Sequence, residues 1–441
     1  MGHDCSSDES VWDDAVALDR RHVFHSWHAQ RNLHPVEVVT GHGAWLRFAD
    51  GRELLDLTSQ QVNVNIGYQH PAVVEGIRKQ AELLCTIGPD YANLARGRAA
   101  SLVARRAPKG FEKVFFTNAG ADANENAMRA ARLVTGRDKI LSSYRSYHGN
   151  TGAAISATGD WRRKPNDYAR GHVHFFTPYL YRSEFSATTQ EEECERALRH
   201  LEHVIRFEGP DTIAAVLLES IPGTAGILIP PKDYFTGVRE ITRKYGILMI
   251  TDEVMTGFGR TGFWFALDDY DYVPDIITFA KGCNSGYVPA GGVIMSDPVA
   301  AHFDDVVFPG GLTYSGHPLA MGAIVATQEA MESEHVVDNA HEVGEKVLGP
   351  KLTALMERHP HIGEVRGKGV FWAVEMVADR ASREPLDDVT MTRIVTEGNG
   401  LGVVLGVHAN RIHVTPPCVI TPDEAADGVD MLDRALTAAG C

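Results

Sequence analysis

Nothing in this 441-residue chain offers a covalent or metal staple. Its six cysteines (Cys5, Cys85, Cys194, Cys283, Cys418, Cys441) are scattered, with no C-x-x-C pair. That argues against a disulfide framework or zinc ribbon, so no metal is expected; buried or incidental thiols in a reducing compartment fit better. No run approaches the ~20 apolar residues of a membrane span. Positive charge is in the minority, with 42 Lys and Arg against 58 Asp and Glu and a net charge of −16. Such a balance disfavours nucleic-acid or anionic-membrane partners. Residues 1–20 are polar and acidic and lack the apolar stretch of a signal peptide. There is no internal repeat and no low-complexity tract. What remains is an ordinary globular composition, 44% hydrophobic and 23% charged, expected to be cytoplasmic.

Length allows roughly two to three domains. Residues 1–20 read as partly disordered, and from Val39 short strand-like pieces alternate with turns, the Asp50-Gly51 step marking a hairpin. From about His70 apolar strand candidates (114–117, 139–142, 215–219, 248–252, 276–280 and 291–296) alternate with helices, which predicts a mainly parallel α/β sheet. Capping patterns mark two helix starts, Thr189-x-x-Glu192 and Thr421-Pro-Asp-Glu424. The expected organisation is an N-terminal segment, 1–75, that contributes to a small domain and the active-site edge. A large domain follows over 76–333, and a small C-terminal α+β domain over 334–441.

Two of these strands end in chemistry. One apolar run leads into Asp252, and another, 29 residues on, into Lys281-Gly282. Pyridoxal phosphate needs such a pair, an amine to hold its aldehyde and a carboxylate to keep its ring nitrogen protonated. Either residue alone has a plainer explanation, a helix cap or a solvated lysine. Their shared place at the carboxyl ends of parallel strands is where a ligand crevice is expected. The turn Phe116-Thr-Asn-Ala-Gly120-Ala-Asp-Ala-Asn-Glu125 runs from strand to helix, and the Gly120 and Ala121 amides would face an anion. Tyr147, followed by His148 and Gly149, either stacks on a ring or packs in the core. Glu219 ends its own strand as a buried acid of the crevice or as a cap. The hydroxyl-rich turn Gly311-Leu-Thr-Tyr-Ser-Gly-His317-Pro either reaches a phosphate or caps the helix from Leu319.

Taken together, and over about residues 25–435, these motifs resemble the class III (ω-type) pyridoxal-phosphate aminotransferases of fold type I. The resemblance also covers Thr256-Gly-Phe-Gly-Arg-Thr-Gly262 and Val365-Arg-Gly-Lys-Gly369. It implies a mainly parallel sheet with helices on both faces and a small α+β domain. It implies that Lys281 carries pyridoxal 5'-phosphate and shuttles the proton, that Asp252 pairs with the ring nitrogen, and that Val254 and Tyr147 sandwich the ring. Gly120, Ala121 and Thr313 would hold the phosphate, Thr313 that of a neighbouring subunit, so a homodimer with shared active sites is expected and a tetramer is open. Glu219 and His148 would complete the polar surroundings of the cofactor.

Two departures bear on the substrate. The phosphate turn has Ala119 and Ala121 where relatives often carry serine. The arginine that many relatives place before the final Pro-Pro is absent, Gly406 or His413 standing at the expected positions before Pro416-Pro417. Arg411 and His408 are the substitutes at hand, Arg411 being equally readable as a structural strand residue; Val62 and Trp27 complete the implied substrate side. The implied reaction moves an amine from a taurine-like, ω-amino or simple amine donor to a keto acid, pyruvate first. An aminomutase or racemase on the same scaffold, and a cofactor-binding protein without catalysis, are the competing readings.

Overall fold

A computed structural model describes residues 14–166 and 169–441. Of the polar stretch 1–20, residues 1–13 lie outside the described residues. The remainder opens a helix, Ala15–His22, whose first turn is capped by the Asp14 carboxylate accepting from Ala17 N at 2.9 Å. Order there corrects the expectation of disorder for 15–20.

Three short antiparallel strands follow: β1 (Val38–His42), β2 (Trp45–Phe48) and β3 (Glu53–Asp56). Gly51, at φ +88°, makes the tight turn between the last two. The central sheet uses β4 (Lys113–Thr117), β5 (Lys139–Ser143), β6 (His172–Phe175), β7 (Ile213–Glu219), β8 (Leu248–Asp252), β9 (Ile276–Phe279) and β10 (Gly291–Met295). Their spatial order is β4-β10-β9-β8-β7-β5-β6. From β6 to β9 all pairings are parallel, while β10 is antiparallel to both its neighbours.

The apolar runs of β7 to β10 are buried on both faces, and the two-residue period of a strand sorts them. Leu217, Ile250, Ile276 and Val293 pack with Ala123, Ala127, Ala130 and Ala131 of the helix Gly120–Thr135. Their neighbours Val216, Met249, Ile277 and Ile294 enter the other core, with Leu201 of the helix Gln190–Glu208 and Phe235 and Val238 of Tyr234–Lys244. Helices therefore cover both faces. The first of these two helices is capped by Thr189, but the Glu192 carboxylate accepts from Thr188 N rather than closing a reciprocal box. The box at Thr421 and Glu424 is complete, and Glu424 also accepts from Trp45 Nε1 at 2.7 Å.

Beyond the long buried helix Pro318–Ser333, the C-terminal part builds β11 (Ile362–Lys368), β12 (Phe371–Asp379), β13 (Glu384–Pro385), β14 (Val403–Val404), β15 (Gly406–His408) and β16 (Arg411–Val414). These pair as β11-β12-β16-β15, with β13 on β12. β14 leaves that sheet to pair in parallel with β3, so the N-terminal strands and the C-terminal part share one sheet. Among the described residues no helix is long and apolar enough to cross a membrane.

Phe279 ties β9 to this core just ahead of Lys281. Its ring packs edge-on against Phe116 and Phe258 at 6.4 and 5.8 Å, and Gly292 leaves room for it, since a Cβ there would sit 2.5 Å from Phe279 Cζ. Phe279→Ala should lower stability by about 3–5 kcal/mol, read as a reduced urea midpoint at unchanged slope.

Candidate active site

Strand register assembles the site. In the β7–β8 pair Glu219 lies opposite Asp252, and in β8–β9 Asp252 lies opposite Thr278, so three strand ends present one polar row. Two residues beyond β9 the chain turns at Lys281, which holds a left-handed φ of +46°. This is strained for a residue with a side chain, as is common where function fixes the backbone. The row opens into a cavity of about 390 Å³ lined by Lys281, Asp252, Glu219, Tyr147, His148, Val254, Gly120 and Ala121, among others.

Asp252 is 3% exposed and its carboxylate is held by three donors. Oδ1 accepts from Val254 N at 2.9 Å; Oδ2 accepts from Asn124 Nδ2 and from His148 Nδ1, each at 2.8 Å. Because a carboxylate only accepts, His148 must carry its proton on Nδ1. Its Nε2 is buried without a partner among the described residues. Asn124 is itself fixed, donating also to His148 O and accepting from Thr278 Oγ1, both at 2.8 Å.

Glu219 accepts from the backbone N–H of Tyr147 at 2.9 Å and of Gly223 at 3.0 Å. Burial pushes its carboxyl up to about 7, the charge of Asp252 adding to the rise and His148 opposing it. Burial acts the other way on the amine of Lys281, pushing it down to about 8 against the pull of Asp252 and Glu219, with Arg260 and Arg162 assisting. Among the described residues no hydrogen bond or ion pair engages that amine.

Opposite this end the helix Gly120–Thr135 begins at the cavity wall, with its first amides turned toward the space. A Cβ at Gly120 would come 2.7 Å from Val254 Cγ1, and one at Gly149 (φ +136°) 2.5 Å from Ala121 Cβ. Both positions therefore need glycine for the wall to close. A phosphate would meet backbone donors and a helix dipole there, which fits a pyridoxal phosphate oriented with its aldehyde at Lys281 and its ring nitrogen at Asp252.

The ring of Tyr147 carries the guanidinium of Arg162 on one face, Cζ lying 3.8 Å from the ring centroid. Asp160 takes Nε and Nη2 of that arginine, leaving Nη1 without a partner among the described residues. Thr313 is exposed and does not line this chain's cavity. Its loop is anchored by Ser315 Oγ donating to Phe116 O at 2.6 Å and by Arg96 Nε donating to Gly316 O at 2.9 Å.

The four residues expected on the substrate side stand apart from the cavity wall. Arg411 donates from Nε to His408 O at 3.1 Å and from Nη1 to Ala225 O at 2.6 Å, beside Gly226 and Arg366. His408 stacks on His413 at 4.3 Å, and burial with the adjacent Arg411 pushes it down to about 4. Val62 is buried while its neighbours Gln61 and Asn63 line the cavity, and Trp27 is 57% exposed. Three residues went unassigned in the sequence: Asn124 and Asn63 of the cavity lining, and Arg162, which does not line the cavity but lies on the ring of Tyr147. Asn124 had a signal, since it sits one helical turn after Gly120 and so faces the same way. Arg162 and Asn63 had none.

Comparison with known proteins gives the family. The family model for class-III aminotransferases matches residues 27–436. The chain is 33% identical to a taurine–pyruvate aminotransferase of Bilophila wadsworthia and 35% identical to a hypotaurine/taurine–pyruvate aminotransferase of Paracoccus denitrificans, with 96% of each chain covered in both cases. Among solved structures, a taurine:2-oxoglutarate aminotransferase from Bifidobacterium kashiwanohense, in complex with PLP and glutamate, superposes with a TM-score of 0.93 at 39% identity, covering 97% of each chain. The chain belongs to the class-III aminotransferases, enzymes of fold type I that depend on pyridoxal 5'-phosphate.

Uptake of that cofactor by the cofactor-free chain should follow the neutral fraction of Lys281. With the amine at about 8, the rate rises with pH up to that value and levels above it. Below it the slope is about tenfold per pH unit. Stopped-flow absorbance across the range checks this; a midpoint in the ordinary lysine range would contradict it.

Proposed function

We propose that this class-III aminotransferase takes the amino group from taurine or a closely related ω-amine and passes it to pyruvate in two half-reactions. The observation that carries the reading is the pairing, in one cavity, of the unpartnered Lys281 amine with the fixed Asp252 carboxylate.

Bound there, pyridoxal 5'-phosphate supplies an aldehyde for the amine and a ring that accepts the electron pair left when a proton leaves the donor carbon. Lys281 would anchor the cofactor through its amine and, when free, would carry a proton to and from the donor carbon. Asp252 keeps the ring nitrogen protonated, and Asn124, His148 and the Val254 amide hold the carboxylate for that task. Val254 packs beneath the ring and Tyr147 over it. Glu219 orders the polar groups beside the ring hydroxyl. Amides of Gly120 and Ala121 hold the phosphate together with Thr313 of the neighbouring subunit, and the exposure of Thr313 away from its own cavity supports that exchange and hence a homodimer.

For the substrate's acid group we assign Arg162, whose Nη1 has no partner among the described residues and whose charge acts on both Lys281 and His408. A guanidinium with one open nitrogen suits small monoacids, a sulfonate in one half-reaction and a short keto acid in the next. This favours pyruvate over a dicarboxylate, although the similar Bifidobacterium enzyme is a taurine:2-oxoglutarate aminotransferase.

Absorbance of the bound cofactor, followed with single amines and no acceptor, tests the reading. Taurine should remove the yellow band and pyruvate restore it; restoration by 2-oxoglutarate alone would reassign the acceptor. Turnover of one amine with no keto acid at all would mean an isomerase. Arg162→Met should raise KM for taurine and for pyruvate by roughly 10- to 150-fold, the equivalent of about 1.5–3 kcal/mol for a charged hydrogen bond, and leave an uncharged benzylic amine unaffected.

A further inference from the structure

Arg260 is the largest side chain wholly removed from water. It belongs to the loop after β8, and its guanidinium joins three parts of the chain. Nη1 donates to Pro416 O and, at 3.2 Å, to Val370 O; Nη2 donates to Ser59 Oγ at 3.1 Å and Asn65 Oδ1 at 2.8 Å. Every one of these acceptors is neutral, and Nε has no partner among the described residues. Burial disfavours its charge, and among carboxylates Asp56 acts against that. The carboxylate of Asp56, however, is engaged by Thr58 and by Tyr68 Oη at 2.5 Å. A buried cation without a bonded carboxylate is destabilising by itself.

A short stack of packed groups links Arg260 to the turn of Lys281. Asn65, held by Arg260, also donates to Phe258 O at 2.7 Å and presses on Gly282, where a Cβ would come 2.3 Å from Asn65 Nδ2. Gly282 directly follows Lys281. The charges around the lysine amine are thus Asp252 and Glu219 on one side and Arg260 and Arg162 on the other.

Building on the assignment of Lys281 as the cofactor anchor, we propose that Arg260 is its positioning residue. It clamps Asn65 against the turn that carries Lys281, and its unneutralised charge adds to burial in disfavouring the protonated amine.

The test uses the full-length chain freed of cofactor and a limiting dose of formaldehyde with cyanoborohydride. Methylation of the Lys281 peptide is read by mass spectrometry between about pH 6 and 10. In the wild type half-labelling falls at about 8. Arg260→Gln should raise that midpoint by about one pH unit, whereas Arg260→Lys, which keeps the charge, should move it by less than about half a unit. Asn65→Asp leaves Arg260 in place and supplies the missing counter-charge; it too should raise the midpoint, and it decides the matter if Arg260→Gln does not fold. A midpoint unchanged in Arg260→Gln or in Asn65→Asp, with a native circular dichroism spectrum, overturns the proposal. The assignment of Lys281 fails separately, if borohydride fixes the wild-type cofactor on a different peptide.

Discussion

A carboxylate carried to the buried end of a strand must find donors inside the protein, and the demands of Asp252 organise the rest of the site. Leaving such a group unpaired would be far more destabilising than any one hydrogen bond is stabilising. Its three donors come from three places: the helix after β4, the loop after β5 and its own following turn. Each donor is fixed in turn, Asn124 by Thr278 and by His148 O. Moving any of these elements would strand a buried polar group, so the packing of both sheet faces and the geometry of the cavity are one problem.

Burial then acts on Lys281 and Glu219 in opposite chemical directions. It favours a neutral amine and a protonated acid, bringing one to about 8 and the other to about 7. Each shift is also a statement about folding. Between about 8 and the ordinary lysine value the unfolded chain binds the extra proton, so stability rises with pH there. For Glu219 the folded chain holds the extra proton between the ordinary value and about 7, so stability falls as pH rises through that window. Near neutral pH both penalties are largely in force. The cavity is a locally unfavourable spot in an otherwise well-packed sheet, the usual price of groups poised to exchange protons.

Much of this was legible along the chain, and the reasons differ by residue. Continuous apolar runs ending in Glu219 and Asp252 point to strands covered on both faces, and six of the seven central strands end within a residue of where they were expected. β6 went unseen since His172-Val-His-Phe175 has too little apolar content to stand out. The helix Ala15–His22 escaped for a related cause: none of its residues is buried, so it has little apolar face to read. Within the site, groups on strand ends and tight turns could be placed from sequence. Arg162 could not, because its meeting with Tyr147 depends on how the loop after the helix Gly152–Ala157 folds back. Arg411 was found at the expected strand, but which way its side chain turns depends on Gly226, where absence of a Cβ admits the guanidinium stem.

That last point bears on which arginine meets a substrate anion first. Arg411 is satisfied by two backbone carbonyls and hemmed in by Arg366, which is itself bound to Glu364 and Glu375 at 2.6 and 2.8 Å. Swinging it toward the cavity breaks two hydrogen bonds, each worth about 0.5–1.5 kcal/mol net. Arg162 faces no such cost. Asp160 fixes two of its nitrogens and the Tyr147 ring its plane, while the third nitrogen has no partner among the described residues. For a small sulfonate or carboxylate the preorganised group wins, since little conformational freedom is lost on binding. If Arg162 takes the acid group as proposed, only a second acid group, farther from the reacting carbon, would return enough free energy to draw Arg411 from its carbonyls, and acceptor choice would turn on the balance between these two guanidiniums.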